Sequence, residues 1–141
     1  MKVQKITPFL WFDNVAVEAA IFYISIFKNS RIISSSPIVT KFELEGLELI
    51  ALNGGPTFKL SEAFSLAINC NGQTEIDYYW DKLTSNGSEG RCGWLKDKFG
   101  VSWQVVPSIL PKILSDPEKA SRVTSAYMKM NKLDIELLMK A

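Results

Sequence analysis

Apolar side chains recur along this chain with two different spacings, and the order in which those spacings alternate is itself repeated. Ile6 to Phe12 is a short apolar run closed by Asp13-Asn14, which predicts a strand followed by a helix N-cap. Pro8 suits an edge or the strand's first residues. From Val15 to Phe27 the apolar positions Ala16, Ala19, Ala20, Tyr23 and Phe27 fall three or four apart, so a helix is expected to lay one face on a sheet. Arg31 to Ser34 and Ile38 to Leu44 read as strands joined by Ser34-Ser35-Ser36-Pro37. Glu45-Gly46 then turns the chain into a further strand, Leu47 to Asn53, with glycine supplying the unusual backbone angle of a hairpin. The first half therefore reads β-α-β-β-β.

Asn53-Gly54-Gly55-Pro56 breaks the last strand, and the order begins again. Ala63 to Cys70 is an apolar strand and Asn71-Gly72-Gln73-Thr74 a cap-like turn. Glu75 to Leu83 carries Ile76, Tyr79, Trp80 and Leu83 at helical spacing. Asn86-Gly87-Ser88 stops that helix, and Gly90 to Lys96 with Val101 to Val106 predicts a hairpin about Asp97-Lys98-Phe99-Gly100. On paper Thr7 falls over Ser65, Asp13 over Asn71, Phe22 over Trp80 and Gly46 over Gly100, an internal duplication of about fifty residues. Beyond Pro107 the texture turns helical: Ile109 to Leu114, then Asp116-Pro117 as N-cap and first helical residue ahead of Ala120, Val123, Tyr127 and Met130, then Leu133 to Lys140. The expected fold class is α+β: two tandem βαβββ modules, about 4–56 and 62–107, forming a curved mixed sheet, with a helical tail over 108–141 in one domain.

Composition narrows the chemistry. The 141 residues carry 16 Lys and Arg against 15 Asp and Glu, leaving a net charge of +1, so the basic surface from which nucleic-acid binding draws its affinity is missing. No run approaches the length of a membrane span and no secretory leader is evident, so a cytoplasmic protein without nucleic-acid or membrane partners is expected. There are no histidines, which excludes Ser-His-Asp triads, Cys-His dyads and HExxH zinc sites within one chain. Cys70 and Cys92 lack CxxC spacing and read as reduced thiols rather than metal or redox ligands.

Three segments carry a family resemblance: Lys5-Ile6-Thr7-Pro8-Phe9-Leu10-Trp11-Phe12-Asp13-Asn14, Ala51-Leu52-Asn53-Gly54-Gly55-Pro56, and Gly93 to Pro107 with its Trp94-Leu95-Lys96-Asp97 and Val101-Ser102-Trp103-Gln104 core. With the duplicated βαβββ order, the chain resembles the vicinal-oxygen-chelate superfamily of glyoxalase I, extradiol dioxygenases and bleomycin- and fosfomycin-resistance proteins. Within it, the chain is similar to the PhnB-like branch often labelled 3-demethylubiquinone-9 3-methyltransferase, over nearly the whole length including the tail. The linker Ser34-Ser35-Ser36-Pro37 is shorter than in relatives, which removes support for ligand capture by that loop. The resemblance implies a half-barrel per module, and up to four inward metal ligands in metal-binding members. By the repeat register these positions are Thr7, Ile50, Ser65 and Gln104. Ile offers no donor and two hydroxyls are weak ligands, so no metal and no cofactor are expected.

Strand alternation points Thr7, Phe9 and Trp11 one way, with Ser65, Ala67, Asn69, Ser102, Gln104 and Val106 on the matching face and Trp103 under a helix. Those residues suit a mostly aromatic small-molecule cleft, or else simply fill the barrel. Cys92, placed on a strand with Trp94 and Lys96, is either a nucleophile favoured by Lys96 or Arg91, or an inert buried thiol; without histidine as base the inert reading is preferred. Asn53-Gly54-Gly55-Pro56 lacks the Lys and Ser/Thr of a phosphate loop and reads as a turn. No Gly-rich turn follows a strand as nucleotide-cofactor binding would need, so the methyltransferase label reads as inherited naming. The expectation is a metal-independent binder of a small organic ligand, a homodimer, its cleft between the modules lined by Thr7, Phe9, Trp11, Asn53, Ser65, Cys92, Trp94 and Gln104. The alternatives are an enzyme, with no catalytic residue assignable, and a ligand-free oligomerisation module.

Overall fold

Leu10 and Phe12 are buried while Phe9 is 56% exposed, the alternation of a strand that lies against a helix on one side only. The computed structural model describes residues 3–141, and the chain divides between Leu60 and Ser61 into two compact units. The first contains β1 (Phe9–Phe12), α1 (Ala16–Ile26), β2 (Ser30–Ser35), β3 (Val39–Leu44) and β4 (Leu47–Asn53). Its sheet runs β1-β4-β3-β2, with β1 parallel to β4 and the other pairs antiparallel. Ala16, Ala19, Ala20, Tyr23 and Phe27 are all buried, as their spacing requires, and the Tyr23 ring stacks on Phe42 of β3 at 6.0 Å. Each such aromatic or branched side chain contributes about 1.5–3 kcal/mol when fully buried. Glu45 and Gly46 both take positive φ, 50° and 88°, the geometry of a two-residue hairpin turn whose twist matches its strands.

Two local expectations need correcting here. The strand starts at Phe9, so Thr7 precedes β1 rather than belonging to it. The N-cap of α1 is Val15, which has no side-chain oxygen to offer; Asp13-Asn14 does not cap the helix. Instead Asn53, at the end of β4, accepts the Ala16 N–H on Oδ1 at 2.9 Å. A residue far along the chain satisfies the helix end, which local sequence cannot announce.

The second unit repeats the order with β5 (Ser65–Cys70), α2 (Gln73–Thr84), β6 (Ser88–Glu89), β7 (Trp94–Lys96) and β8 (Ser102–Pro107), its sheet running β5-β8-β7-β6. β6 is two residues long and flanked by Gly87 and Gly90, too short to carry an alternation; it supplies the strand that completes the βαβββ order. The pairing Phe9 to Ile50 in the first sheet recurs as Ala67 to Gln104 in the second, so the strands superpose as the repeat predicted. The helices do not. Ile76, Trp80 and Leu83 are the buried residues of α2, and their counterparts on α1 are Ala19, Tyr23 and Ile26. Trp80 therefore matches Tyr23, not Phe22. The repeat slips by one residue between strand and helix.

The tail packs on this second unit as α3 (Leu110–Leu114), α4 (Pro117–Tyr127) and α5 (Ile135–Lys140). Asp116 caps α4 by accepting the Glu118 N–H, and Asp134 caps α5 by accepting that of Leu137. Val123, Leu133 and Leu138 form a fully buried cluster joined by Val106, Leu110 and Ile113. Residues 130–135 run as a strap. Cys92 and Gly93 donate their N–H groups to the carbonyls of Met130 and Asn131, at 2.7 and 2.8 Å. The Gln73 side-chain amide donates to Leu133 O and accepts from Ile135 N, and Lys132 pairs with Asp77 of α2 at 2.9 Å. Among the described residues no helix is long and apolar enough to cross a membrane.

Candidate functional site

The face of each sheet turned away from its helix is where the expected site residues must lie. In the first unit Phe9 and Trp11 share that face with their ladder partners Ile50 and Leu52. Trp11 is held in place: its indole N–H donates to Gly55 O at 2.9 Å and its ring meets Phe58 edge-on at 5.0 Å. Gly54 makes this possible, because a Cβ there would lie 2.3 Å from the Trp11 ring. Asn53 belongs to the opposite face with Ala51 and Phe12, and both ends of its amide are used, on Ala16 N and on Pro37 O. It is a structural clamp rather than a lining residue. Thr7, ahead of the strand, receives a hydrogen bond from Gln4 Nε2 at 3.3 Å.

In the second unit the register brings together Ser65, Trp94 and Gln104, three of the expected residues, on one face. Gln104 Nε2 donates to Ser65 Oγ at 3.0 Å, and Trp94 lies directly across from Gln104 on β7. Trp103 faces the other way, as alternation requires, and its indole donates to the buried Asp97 carboxylate at 2.8 Å. Cys92 is not on the strand. It sits in the turn between β6 and β7 with φ 62°, half-buried and tied through its N–H to the tail, so it does not share a strand face with Trp94 and Lys96. A left-handed residue at this point was invisible because the run from Gly90 to Lys96 reads as a continuous strand.

Sequence reasoning missed two partners. Lys96 lies on the Gln104 face and pairs with Glu62, from the segment preceding β5. The Lys96 ammonium holds the Glu62 carboxyl below the ordinary carboxylate range. Ser102 lies between Ser65 and Lys96 in the ladder; it is 2% exposed, and its Oγ has no hydrogen-bond partner among the described residues. Parity alone puts Ser102 beside Gln104 and Lys96 beside Trp94, but the Glu62 partner and the pairing of Ser102 with Lys96 become visible only once the strand registers are known.

The donor set does not fit the divalent cation that metal-binding members of the superfamily hold. Ile50 has no donor atom, Ser65 is a neutral hydroxyl, and Gln104, whose Nε2 donates to Ser65, offers only a neutral amide oxygen. Among the described residues no three of His, Cys, Asp and Glu come together. The other thiol, Cys70, is buried at the end of β5, and burial, with the Glu75 charge, pushes it up to about 12, which keeps it protonated and inert at neutral pH. Beside it a concavity of ≈ 390 Å³ lies between Cys70, Gln73, Pro107 and Ile135, on the tail side rather than with Gln104.

Comparison with known proteins agrees with this geometry. The family described as 3-demethylubiquinone-9 3-methyltransferase matches residues 4–106, so the tail, included in the sequence resemblance, lies outside the matched part. A solved structure from Bacillus cereus, described as a putative 3-demethylubiquinone-9 3-methyltransferase, PhnB protein, is 34% identical, with 73% of this chain and 99% of that chain covered at a TM-score of 0.67. A Pseudomonas aeruginosa protein is 19% identical, with 74% and 98% covered and a TM-score of 0.62. The fosfomycin resistance protein FosX from Listeria monocytogenes is 16% identical, with 82% and 98% covered and a TM-score of 0.61; these last two share the fold. Among curated proteins none matches the sequence significantly. With two βαβββ units in tandem and this match over most of its length, the chain belongs to the PhnB-like, 3-demethylubiquinone-9 3-methyltransferase family of the vicinal-oxygen-chelate fold.

Proposed function

We propose that the protein binds a small organic molecule on the open face of its second sheet, without a metal ion. The observation that carries this reading is the Gln104 to Ser65 hydrogen bond beside Trp94: a fixed neutral polar pair next to an aromatic surface, the combination by which small-molecule sites orient a ligand. The test is a titration of the isotope-labelled chain with a panel of neutral aromatic and polar compounds, following the Gln104 side-chain amide by NMR. A saturable shift that Gln104→Leu abolishes is expected; an amide indifferent to every compound overturns the reading. One tightly held transition metal per purified chain, lost in Gln104→Leu, removes its metal-independent part.

The methyl transfer named in the family description has no support in the topology. Each sheet contains one parallel pair, whereas nucleotide-type cofactors are commonly held on doubly wound parallel sheets with a Gly-rich first turn. Calorimetric titration with S-adenosylmethionine is expected to show no binding, and micromolar affinity would reinstate transfer. A homodimer is part of the same reading. α1 is apolar around much of its circumference, leaving Val17 and Ile21 exposed in a single chain, and sedimentation equilibrium decides between dimer and monomer.

A further inference from the structure

Four residues of the second sheet stand in one line across all its strands. Ser65 on β5 pairs with Ser102 on β8, Ser102 with Lys96 on β7, and Lys96 with Ser88 on β6. Directly paired residues project to the same face, and neighbouring strands lie about 4.8 Å apart, so adjacent members of the line can reach the two oxygens of one group. We propose that this line is a recognition strip for an oxyanion, a carboxylate or phosphate-type group on the ligand, and that Glu62 occupies it until the ligand's own oxyanion takes its place. The proposal rests on open-face binding as read above and names the ligand class.

Three observations support it independently of that reading. The strip consists of three hydroxyls and one ammonium, all able to donate and together bearing one positive charge. The corresponding line of the first sheet has diverged: Glu48 pairs with Glu43, and Glu43 with Arg31, so two carboxylates stand where the second sheet has Ser102 and Lys96. Duplication alone does not produce a line free of carboxylates; in the first copy each carboxylate already pairs with a cation of its own sheet, Glu43 with Arg31 and Glu48 with Lys41. Second, the Ser102 hydroxyl is buried with no partner among the described residues, a cost that a bound acceptor oxygen removes. Third, Lys96 already holds a carboxylate, that of Glu62, from outside the sheet. Both members of this pair are substantially exposed, and an exposed pair of this kind is weak enough for a competing carboxylate to displace. Glu62 marks the place that a ligand oxyanion would fill.

The experiment titrates the isotope-labelled full chain at fixed ionic strength with acetate, with inorganic phosphate and with neutral acetamide, following the Lys96, Ser102 and Gln104 amides. Acetate or phosphate is expected to bind with millimolar affinity and acetamide not at all; their ratio tells a planar from a tetrahedral group. Glu62→Gln is expected to tighten oxyanion binding by about threefold to tenfold, since the internal competitor is gone, while Lys96→Met abolishes it and Ser102→Ala weakens it by about fivefold. Lys96→Arg restores part of the binding. Equal response to acetate and acetamide, or no tightening in Glu62→Gln, overturns the proposal. If neutral compounds shift the Gln104 amide but neither oxyanion binds wild type or Glu62→Gln, the strip falls while open-face binding stands. If nothing shifts Gln104, both fall.

Discussion

Asp97 shows how much a single buried side chain organises. At 3% exposure its carboxylate accepts from Phe99 N, Val101 N and the Trp103 indole, at 2.8, 3.1 and 2.8 Å, closing the turn between β7 and β8 and fixing the tryptophan beneath α2. Asp97→Ala leaves those donors without an acceptor and is expected to cost about 2–4 kcal/mol in denaturant unfolding, with the Trp103 indole resonance displaced. Nothing local in the sequence signals this role, because the partner is a tryptophan across the hairpin. Cys70 makes the opposite case, a group whose silence is informative. Its thiol is raised from 9.0 to about 12, so it stays protonated in the fold at pH values where the unfolded thiol ionises. The associated stability is fully present below about pH 9 and is lost as the pH rises toward 12. Iodoacetamide at about pH 8 is expected to leave Cys70 unmodified until denaturant is added, as peptide mass mapping will show.

Among elements, the strap of residues 130–135 is fastened by side-chain amides imitating backbone. Gln73 donates to Leu133 O at 3.0 Å and accepts from Ile135 N at 2.9 Å, the two bonds a neighbouring strand would make. Gln4 does the same to Glu48 in the first unit, donating to its carbonyl and accepting its N–H. Gln73→Ala is expected to accelerate hydrogen exchange at Ile135 by about tenfold while the β5 to β8 ladder keeps its protection, because only the strap loses its bonds. Helix faces and most strands were legible from spacing, since burial of one face imposes the periodicity directly. What stayed hidden were features set by distant chain: the Asn53 cap on α1, the two-residue β6, and the left-handed turn at Cys92. Of the candidate site, Ser65, Trp94 and Gln104 were recoverable from strand parity alone. Ser102 shares that parity, whereas its place between Ser65 and Lys96, and the Glu62 partner of Lys96, required the actual registers.

At the scale of the molecule, the second unit is more than a copy of the first, because the tail contributes to its core. Leu133 is fully buried, meets Gly93 and joins Val123 and Leu138. Leu133→Ala is expected to cost about 2–5 kcal/mol, with exchange protection lost first at Cys92 and Gly93, whose N–H groups bond the strap. If those amides stay protected while α4 and α5 fray, the strap is held by hydrogen bonds alone and its apolar cluster is dispensable. The one-residue slip between the strands and helices of the two halves has a practical consequence for anyone building chimeras from them. Transplanting α2 into the place of α1 by aligning the strands turns the helix by about 100°, swinging Trp80 off the sheet and toward water. Grafted one position over, with Trp80 seated where Tyr23 was, the foreign helix presents its apolar side to the host sheet, so the junction at Asn14 and Val15 is where such a hybrid must be spliced.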